Sequence, residues 1–241
     1  EIAAAYAAGA LSLADAVQVI YQRSRLQQTT AGLGTMLAVG LAASAVAPYL
    51  VDYADVVSIG AINSPTSITL AGDTEALKAI GAALDAEKIF NRFLQVEVPY
   101  HSPQMEPLSA ELLQTLAGVT GAVGQLAMYS TVSGEKITAP PGGEYWQRNL
   151  RQTVQFNNAV QALGKDGYDT YLEISPHPVL LPSLNEALNG SVPRLLTLGV
   201  MRREHGGVSE LLKALGMLYV HGVAPSWPRL YPQPGRVVTL P

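Results

Sequence analysis

"VVSIGAINSPTSITLAGDTEALKAIGAALDAEK", residues 56–88, is the stretch that decides the fold. "VVSIGAIN" at 56–63 is β-branched and apolar enough for a strand, and "SPTSITLAG" at 64–72 reads as a turn followed by a second strand. From Asp73 the pattern changes period. "DTEALKAIGAALDAEK" (73–88) reads as a helix, with Asp73 where an N-cap belongs.

Working outward, "TMLAVGL" (35–41) reads as a strand and "ASAVAPYLVDY" (43–53) as a helix upstream of this core. Downstream, "FLQVEV" (93–98) alternates apolar and polar residues like a half-buried strand that Pro99 terminates. The order βαββαβ is that of a split-βαβ, ferredoxin-like unit over residues 36–98. It is expected to be a small subdomain inserted into a larger one.

Around it the chain is mixed. "EIAAAYAAG" is a short helix stopped by Gly9, and "LSLADAVQVIYQRSRLQQTT" (11–30) is a longer one with Ser12 as N-cap and Asp15 three residues on. On a 3.6-residue period Leu13, Ala16, Val19, Ile20, Arg23 and Leu26 share a face, which puts Arg23 on or beside the apolar side; Gln18, Gln22 and Arg25 look outward. After residue 101, "PQMEPLSAELLQTLAG" reads as a helix, "QLAMYSTVSGEKI" as a strand and turn, and "YWQRNLRQTVQFNNAVQALGKDG" as largely helical. "TYLEISPHPVL" reads as a strand running into a loop, and "SELLKALGMLYVHG" as a last helix capped by Ser209. "VAPSWPRLYPQPGRVVTLP" (223–241) suggests a Pro-rich strap lying on a neighbouring surface.

Composition narrows the function classes. Among 241 residues, 48% are hydrophobic and 14% charged, enough for a well-buried core under a thin coat of charge. The net charge of −4 and the lack of any basic run give no reason to expect nucleic acid. No Cys is present, which removes disulfides, thiolate metal sites and a cysteine nucleophile together and fits a cytoplasmic setting. No apolar stretch is long enough to span a bilayer. The four histidines are widely spaced without carboxylate pairs, so no metal site is expected. There is no glycine-rich phosphate cradle.

His101 is the residue that asks for an explanation, because it sits at the mouth of a strand between Pro99 and Pro103. The plain account is a turn histidine satisfied by backbone; the chemical one is a general base. Arg23 has the same two faces, an internal ion pair or a receptor for an anionic substrate. His177 is expected to hold its loop, with His205 and His221 on the surface.

Several segments together resemble the acyltransferase domain of type I polyketide synthases, related to malonyl-CoA:acyl-carrier-protein transacylases. They are "EIAAAYAAGALSLADAVQVIYQRSRLQ", "GTMLAVG", "INSPTSITLAG", "FLQVEVPYHSPQMEP", "YWQRNLRQTVQF", "LEISPHPVL" and the closing "LYVHGVAPSWPRLYPQPGRVVTLP", in the family's order. The resemblance implies an α/β fold, an incomplete α/β-hydrolase-like large subdomain with the ferredoxin-like insert. Residues 1–35 and 99–200 would be its two parts, 36–98 the insert, and 201–241 the C-terminal helix and linker.

It also implies two-step acyl transfer from an acyl-CoA, through a serine ester, to the phosphopantetheine thiol of an acyl carrier protein. His101 matches the family's base, and the loop around Asn149 the supplier of a backbone carbonyl that orients it. Arg23 matches the arginine that grips the substrate carboxylate, and Met36 and Asn63 match pocket positions. Tyr100, directly before the histidine, matches the position where a bulky aromatic goes with malonyl and a serine with methylmalonyl. Malonyl-CoA is therefore the expected substrate, with a carrier protein and a neighbouring ketosynthase domain as partners and no bound cofactor. In the family the nucleophilic serine stands three residues before the glutamate matching Glu1. The 241 residues contain no G-x-S-x-G, so a cut N-terminus, an inactive and poorly soluble isolated chain, and apolar surface exposed on residues 1–30 are expected. An acyl hydrolase of the same fold, or a non-catalytic fragment, are the competing expectations.

Overall fold

The structure is a computed structural model that describes residues 1–233, 235 and 239. The parts of the expected C-terminal strap at 234, 236–238 and 240–241 lie outside the described residues. In chain order the elements are helices α1 (Ile2–Ala7) and α2 (Leu13–Gln28), strand β1 (Thr35–Val39), helix α3 (Ala47–Leu50), strands β2 (Val57–Ser64) and β3 (Ser67–Gly72), helix α4 (Thr74–Ala86) and strand β4 (Asn91–Phe93). Then come helices α5 (Ser109–Thr115), α6 (Gly143–Arg151) and α7 (Phe156–Lys165), strand β5 (Thr170–Glu173), helix α8 (Leu181–Leu188), strand β6 (Leu196–Gly199) and helices α9 (Gly207–Val220) and α10 (Trp227–Leu230).

Contacts divide the chain into two compact units, residues 1–169 with 182–195, and residues 170–181 with 196–241. The first holds a four-stranded sheet of order β2-β3-β1-β4, antiparallel throughout, the strand order of a split βαβ. α4 lays Ala76, Leu77, Ile80 and Leu84 on one face of it, against Leu37, Ile68 and Leu70. Each of these large side chains, fully buried, is worth about 1.5–3 kcal/mol. Asp73 caps α4 by accepting from Ala76 N–H at 2.8 Å. β3 ends at Gly72, φ +154°, where a Cβ would stand 2.1 Å from the Val56 carbonyl oxygen, so only glycine closes this corner.

A second core in the same unit gathers Ala5, Val19 and Leu26 from α1 and α2 with Met105, Leu112, Trp146 and Leu150 from the segments after residue 98. Ser12 caps α2 as its spacing requires, accepting from Asp15 N–H at 3.0 Å. The face expected for α2 needs a correction. Ala16, Val19 and Leu26 are buried, but Leu13 and Ile20 are exposed and join Val17 and Tyr21 in a second, open apolar stripe at helical spacing. The other unit pairs β5 with β6 in parallel, Thr170 opposite Leu196, and carries α9 and α10.

Four expectations fall short. The strand expected to run to Val98 pairs with β1 only over Asn91–Phe93, with one further bond from Leu94 N–H to the Met36 carbonyl. β1 itself begins at Thr35, so beyond that point the chain has no ladder to join; the Thr35 hydroxyl takes the Val96 carbonyl and Gly32 N–H the Glu97 carbonyl instead. The strand expected near residue 128 is a narrow hairpin with a single bridge, Tyr129 to Lys136, because no other strand lies alongside it. The helix expected over 43–53 is broken into a 3₁₀ turn (Ala43–Ala45) and α3. Ser209 is inside α9, whose cap is Gly206.

Candidate active site

His101 stands on a turn that two hydrogen bonds fold back on itself. Tyr100 N–H bonds the Val98 carbonyl at 3.0 Å, and the buried Ser102 hydroxyl bonds the Pro99 carbonyl at 2.5 Å. His101 takes φ +61°, in the left-handed region that a side chain rarely adopts and that persists only where neighbours hold it. One of those neighbours is the Ser58 hydroxyl on β2, which donates to the His101 carbonyl at 2.9 Å.

The ring is oriented by backbone. Its Nδ1 lies 2.9 Å from the Gln152 carbonyl oxygen, and since a carbonyl only accepts, the proton of the neutral ring sits on Nδ1. Nε2 is left with the lone pair, the state a general base needs. Burial pushes the imidazole pKa down to about 4, and the charges of Arg23 and Arg151 push the same way, against the opposing pull of the Gln152 bond.

The carbonyl supplier corrects an expectation: it is Gln152, not Asn149. α6 ends at Arg151, and Gln152 is its extended C-cap, ψ 156°, with its carbonyl turned out of the helix. Asn149 lies one turn earlier inside α6, and it is its side chain that acts, Nδ2 donating to the Glu1 carboxylate. Thr131 N–H at 2.6 Å and the Tyr145 hydroxyl at 2.9 Å complete the grip on Glu1. Burial, and then the charge of Glu1, push the Tyr145 hydroxyl pKa up.

Arg23 projects from α2 toward the same place. Its pKa is lowered by burial, with Glu1 and Tyr100 acting in the other direction, and its charge is felt at His101. Its Nε is buried without a hydrogen-bond partner, and no carboxylate pairs with it among the described residues, whereas Arg25 has Glu111 at 2.6 Å and Arg151 has Glu106 at 3.0 Å. The internal ion pair considered for Arg23 is therefore not formed. A buried guanidinium N–H without a partner is costly unless something supplies an acceptor.

Tyr100 packs against the second core, and its carbonyl comes close to β2 at Gly60, where a Cβ would lie 3.3 Å from that oxygen and 3.5 Å from the Met36 methyl. The Met36 methyl and the Tyr100 carbonyl thus both approach Gly60. Asn63 is turned elsewhere: its amide donates to the Thr69 hydroxyl across the β2–β3 hairpin at 3.0 Å. His101, Arg23, Tyr100, Met36 and Gln152 all belong to the first unit. Beside Gln152 opens a cavity of about 510 Å³ whose lining includes Arg148, Arg151, Gln152 and Thr153. The remaining histidines bond backbone: His177 Nδ1 accepts from Arg203 N–H, and Nδ1 of His205 and His221 faces the Arg203 and Met217 carbonyls. No cluster of three potential metal ligands occurs, and no helix is long and apolar enough to cross a membrane, among the described residues.

Sequence reasoning missed Gln152, Ser58 and the Glu1 clamp. Only the first left a signal, the β-branched pair Thr153-Val154 that ends the helical pattern directly after it.

A neutral histidine held by a backbone carbonyl, facing an unpaired arginine in an α/β chain, is the equipment of an enzyme that moves anionic acyl groups. The chain belongs to the acyl transferase domain family, whose model matches residues 1–225. It is 37% identical over 243 residues to polyketide synthase GfsA of Streptomyces halstedii, all of this chain and 3% of that protein. It is 44% identical over 230 residues to the spectinabilin polyketide synthase system protein NorA of Streptomyces orinoci, 94% of this chain and 12% of that one. In structure it is similar to the acyltransferase domain from module 8 of the salinomycin polyketide synthase, with TM-score 0.90, 36% identity and 94% of this chain covering 54% of that one. The chain therefore spans a small part of these curated relatives and about half of that domain.

Proposed function

We propose that this chain supplies the base and the substrate-binding arginine of an acyltransferase that loads a malonyl-type extender from acyl-CoA onto the phosphopantetheine thiol of an acyl carrier protein. In the first step a serine hydroxyl, contributed by residues outside these 241, attacks the thioester carbonyl. His101 Nε2 takes the hydroxyl proton as the C–O bond forms, and returns it to the CoA thiolate as the C–S bond breaks. The second step runs the same way with the carrier thiol as the entering group and the serine oxygen as the leaving one. Arg23 holds the free carboxylate of the acyl group through two parallel hydrogen bonds, which places the thioester over the nucleophile. Tyr100 fills the space that an α-methyl would need, favouring malonyl over methylmalonyl.

The proposal extends to a larger α/β-hydrolase-like subdomain around the ferredoxin-like sheet, to a ketosynthase domain as neighbour, and to a reaction without bound cofactor. What supports it above all is a neutral imidazole with Nε2 free, on which the charge of Arg23 acts, together with the buried Arg23 Nε that has no hydrogen-bond partner. Labelled malonyl-CoA and a purified holo-carrier protein, given to the intact synthase, test it. Label should move onto the carrier in the wild type and not in a His101→Ala variant. Label recovered as free malonate would make the enzyme a hydrolase instead.

A further inference from the structure

We propose that Ser58 is a positioning residue for the His101 base, and that β2 is the common reference against which both supports of the imidazole are set. This rests on His101 being the base. β2 lies at the edge of its sheet, so its outer side is free to bond elsewhere. The Ser58 hydroxyl holds the His101 carbonyl at 2.9 Å. One residue on, the Ile59 carbonyl accepts from the Thr153 hydroxyl at 2.7 Å. The Gly60 carbonyl accepts from Val154 N–H at 2.9 Å, and Ile62 N–H donates to the Val154 carbonyl at 2.8 Å. Four residues of one strand therefore grip the turn that carries the ring and the segment that carries the Gln152 carbonyl.

The absence of a side chain at Gly60 is part of the same arrangement, because it lets the Tyr100 carbonyl approach the strand. His101 is held at φ +61°, and a residue in that region relaxes to an ordinary conformation unless something outside the turn restrains it. Rotation of the His101 peptide out of this region would swing the ring off Gln152 and unseat Nε2. The Ser58 bond acts on the very carbonyl that such a rotation would move. Its effect is through His101, so it should appear in turnover and in the state of the ring, and leave acyl-CoA binding nearly untouched.

The charged groups that act on the ring are Arg23 from α2 and Arg151 from α6, and neither is altered by a change at Ser58. In the intact acyltransferase, Ser58→Ala should lower kcat about tenfold, the worth of one hydrogen bond, with KM for malonyl-CoA changed less than about twofold. Ser58→Thr keeps the hydroxyl on a strand-favouring side chain and should restore kcat to within about threefold. Imidazole ¹⁵N NMR supplies the reading that a merely structural role would not move. Ser58→Ala should loosen the Nδ1–H bond to the Gln152 carbonyl and so mix the two tautomers of the neutral ring. If Ser58→Ala folds poorly, Thr153→Val removes a neighbouring bond of the same strand and should move kcat and the ring in the same directions. Wild-type kcat in Ser58→Ala overturns the proposal, as does a fall in kcat with an unmoved tautomer, or no rescue by threonine. A His101→Ala variant that still transfers acyl groups would defeat the functional reading, while the tautomer seen by NMR would still decide whether Ser58 sets the ring.

Discussion

Lowering the pH should weaken this fold through His101 by an amount the structure allows to be worked out. The folded ring titrates at about 4 and an unfolded histidine at about 6.5. Between those values the unfolded chain binds the proton and the folded one does not, so stability rises with pH across the window. The contribution is complete above pH 6.5 and is lost as the pH falls toward 4. Between pH 7.5 and 4.5 this one group should cost on the order of 2–3 kcal/mol of unfolding free energy, at about 1.36 kcal/mol per unit. His101→Gln keeps a polar side chain without the titration. Urea unfolding of both proteins at several pH values isolates the effect, because carboxylate titrations common to the two cancel in the difference. The wild type should lose on the order of 2–3 kcal/mol more than His101→Gln over that interval. Parallel stability curves, or an NMR midpoint for His101 near 6.5, would refute the claim that burial and the two arginines keep the ring neutral.

Two further outcomes follow from the same site. Tyr100→Ala should open the space beside His101 and shift the ratio of kcat/KM for methylmalonyl-CoA over malonyl-CoA upward by about 10- to 100-fold, the worth of one methyl-sized difference; an unchanged ratio in competition assays would remove Tyr100 from extender selection. Asn149→Ala should destabilise the protein by about 1.5–3 kcal/mol through the lost hydrogen bond to the Glu1 carboxylate, yet leave the His101 tautomer in place, because the ring is held by Gln152; loss of the Nδ1–H tautomer in that variant would restore the orienting role to Asn149.

The parts of the fold legible in the sequence are those fixed by near neighbours. Ser12 with Asp15, and Asp73 with Ala76, are caps decided within three residues, and the helix stripe of α4 is decided by its own period. Elements whose limits depend on a distant partner were harder to read. β4 stops where β1 offers no further edge, and the hairpin near Tyr129 never finds a third strand. α8 and β6 are hard to read because "LPSLNEAL" lacks a capping signal and "LTLG", though it alternates, is only four residues long. At the site, His101 and Arg23 carried their meaning only through the resemblance, since each alone had a plain structural explanation. Asn149 was three residues off for a physical reason. Which carbonyl faces the imidazole depends on where α6 ends, and Asn149 proved to serve Glu1.

The central claim, that Arg23 is left unpaired to receive the carboxylate of the incoming acyl group, is tested most directly by Arg23→Ala in the intact synthase. The measurement is kcat/KM for transfer to a holo-carrier from malonyl-CoA and from acetyl-CoA, side by side. Loss of one partner from a buried ion pair costs about 3–5 kcal/mol, so malonyl transfer should fall by roughly 10²- to 10³-fold or more while acetyl transfer holds or rises. An equal fall for both substrates would mean that Arg23 supports the fold and not the substrate.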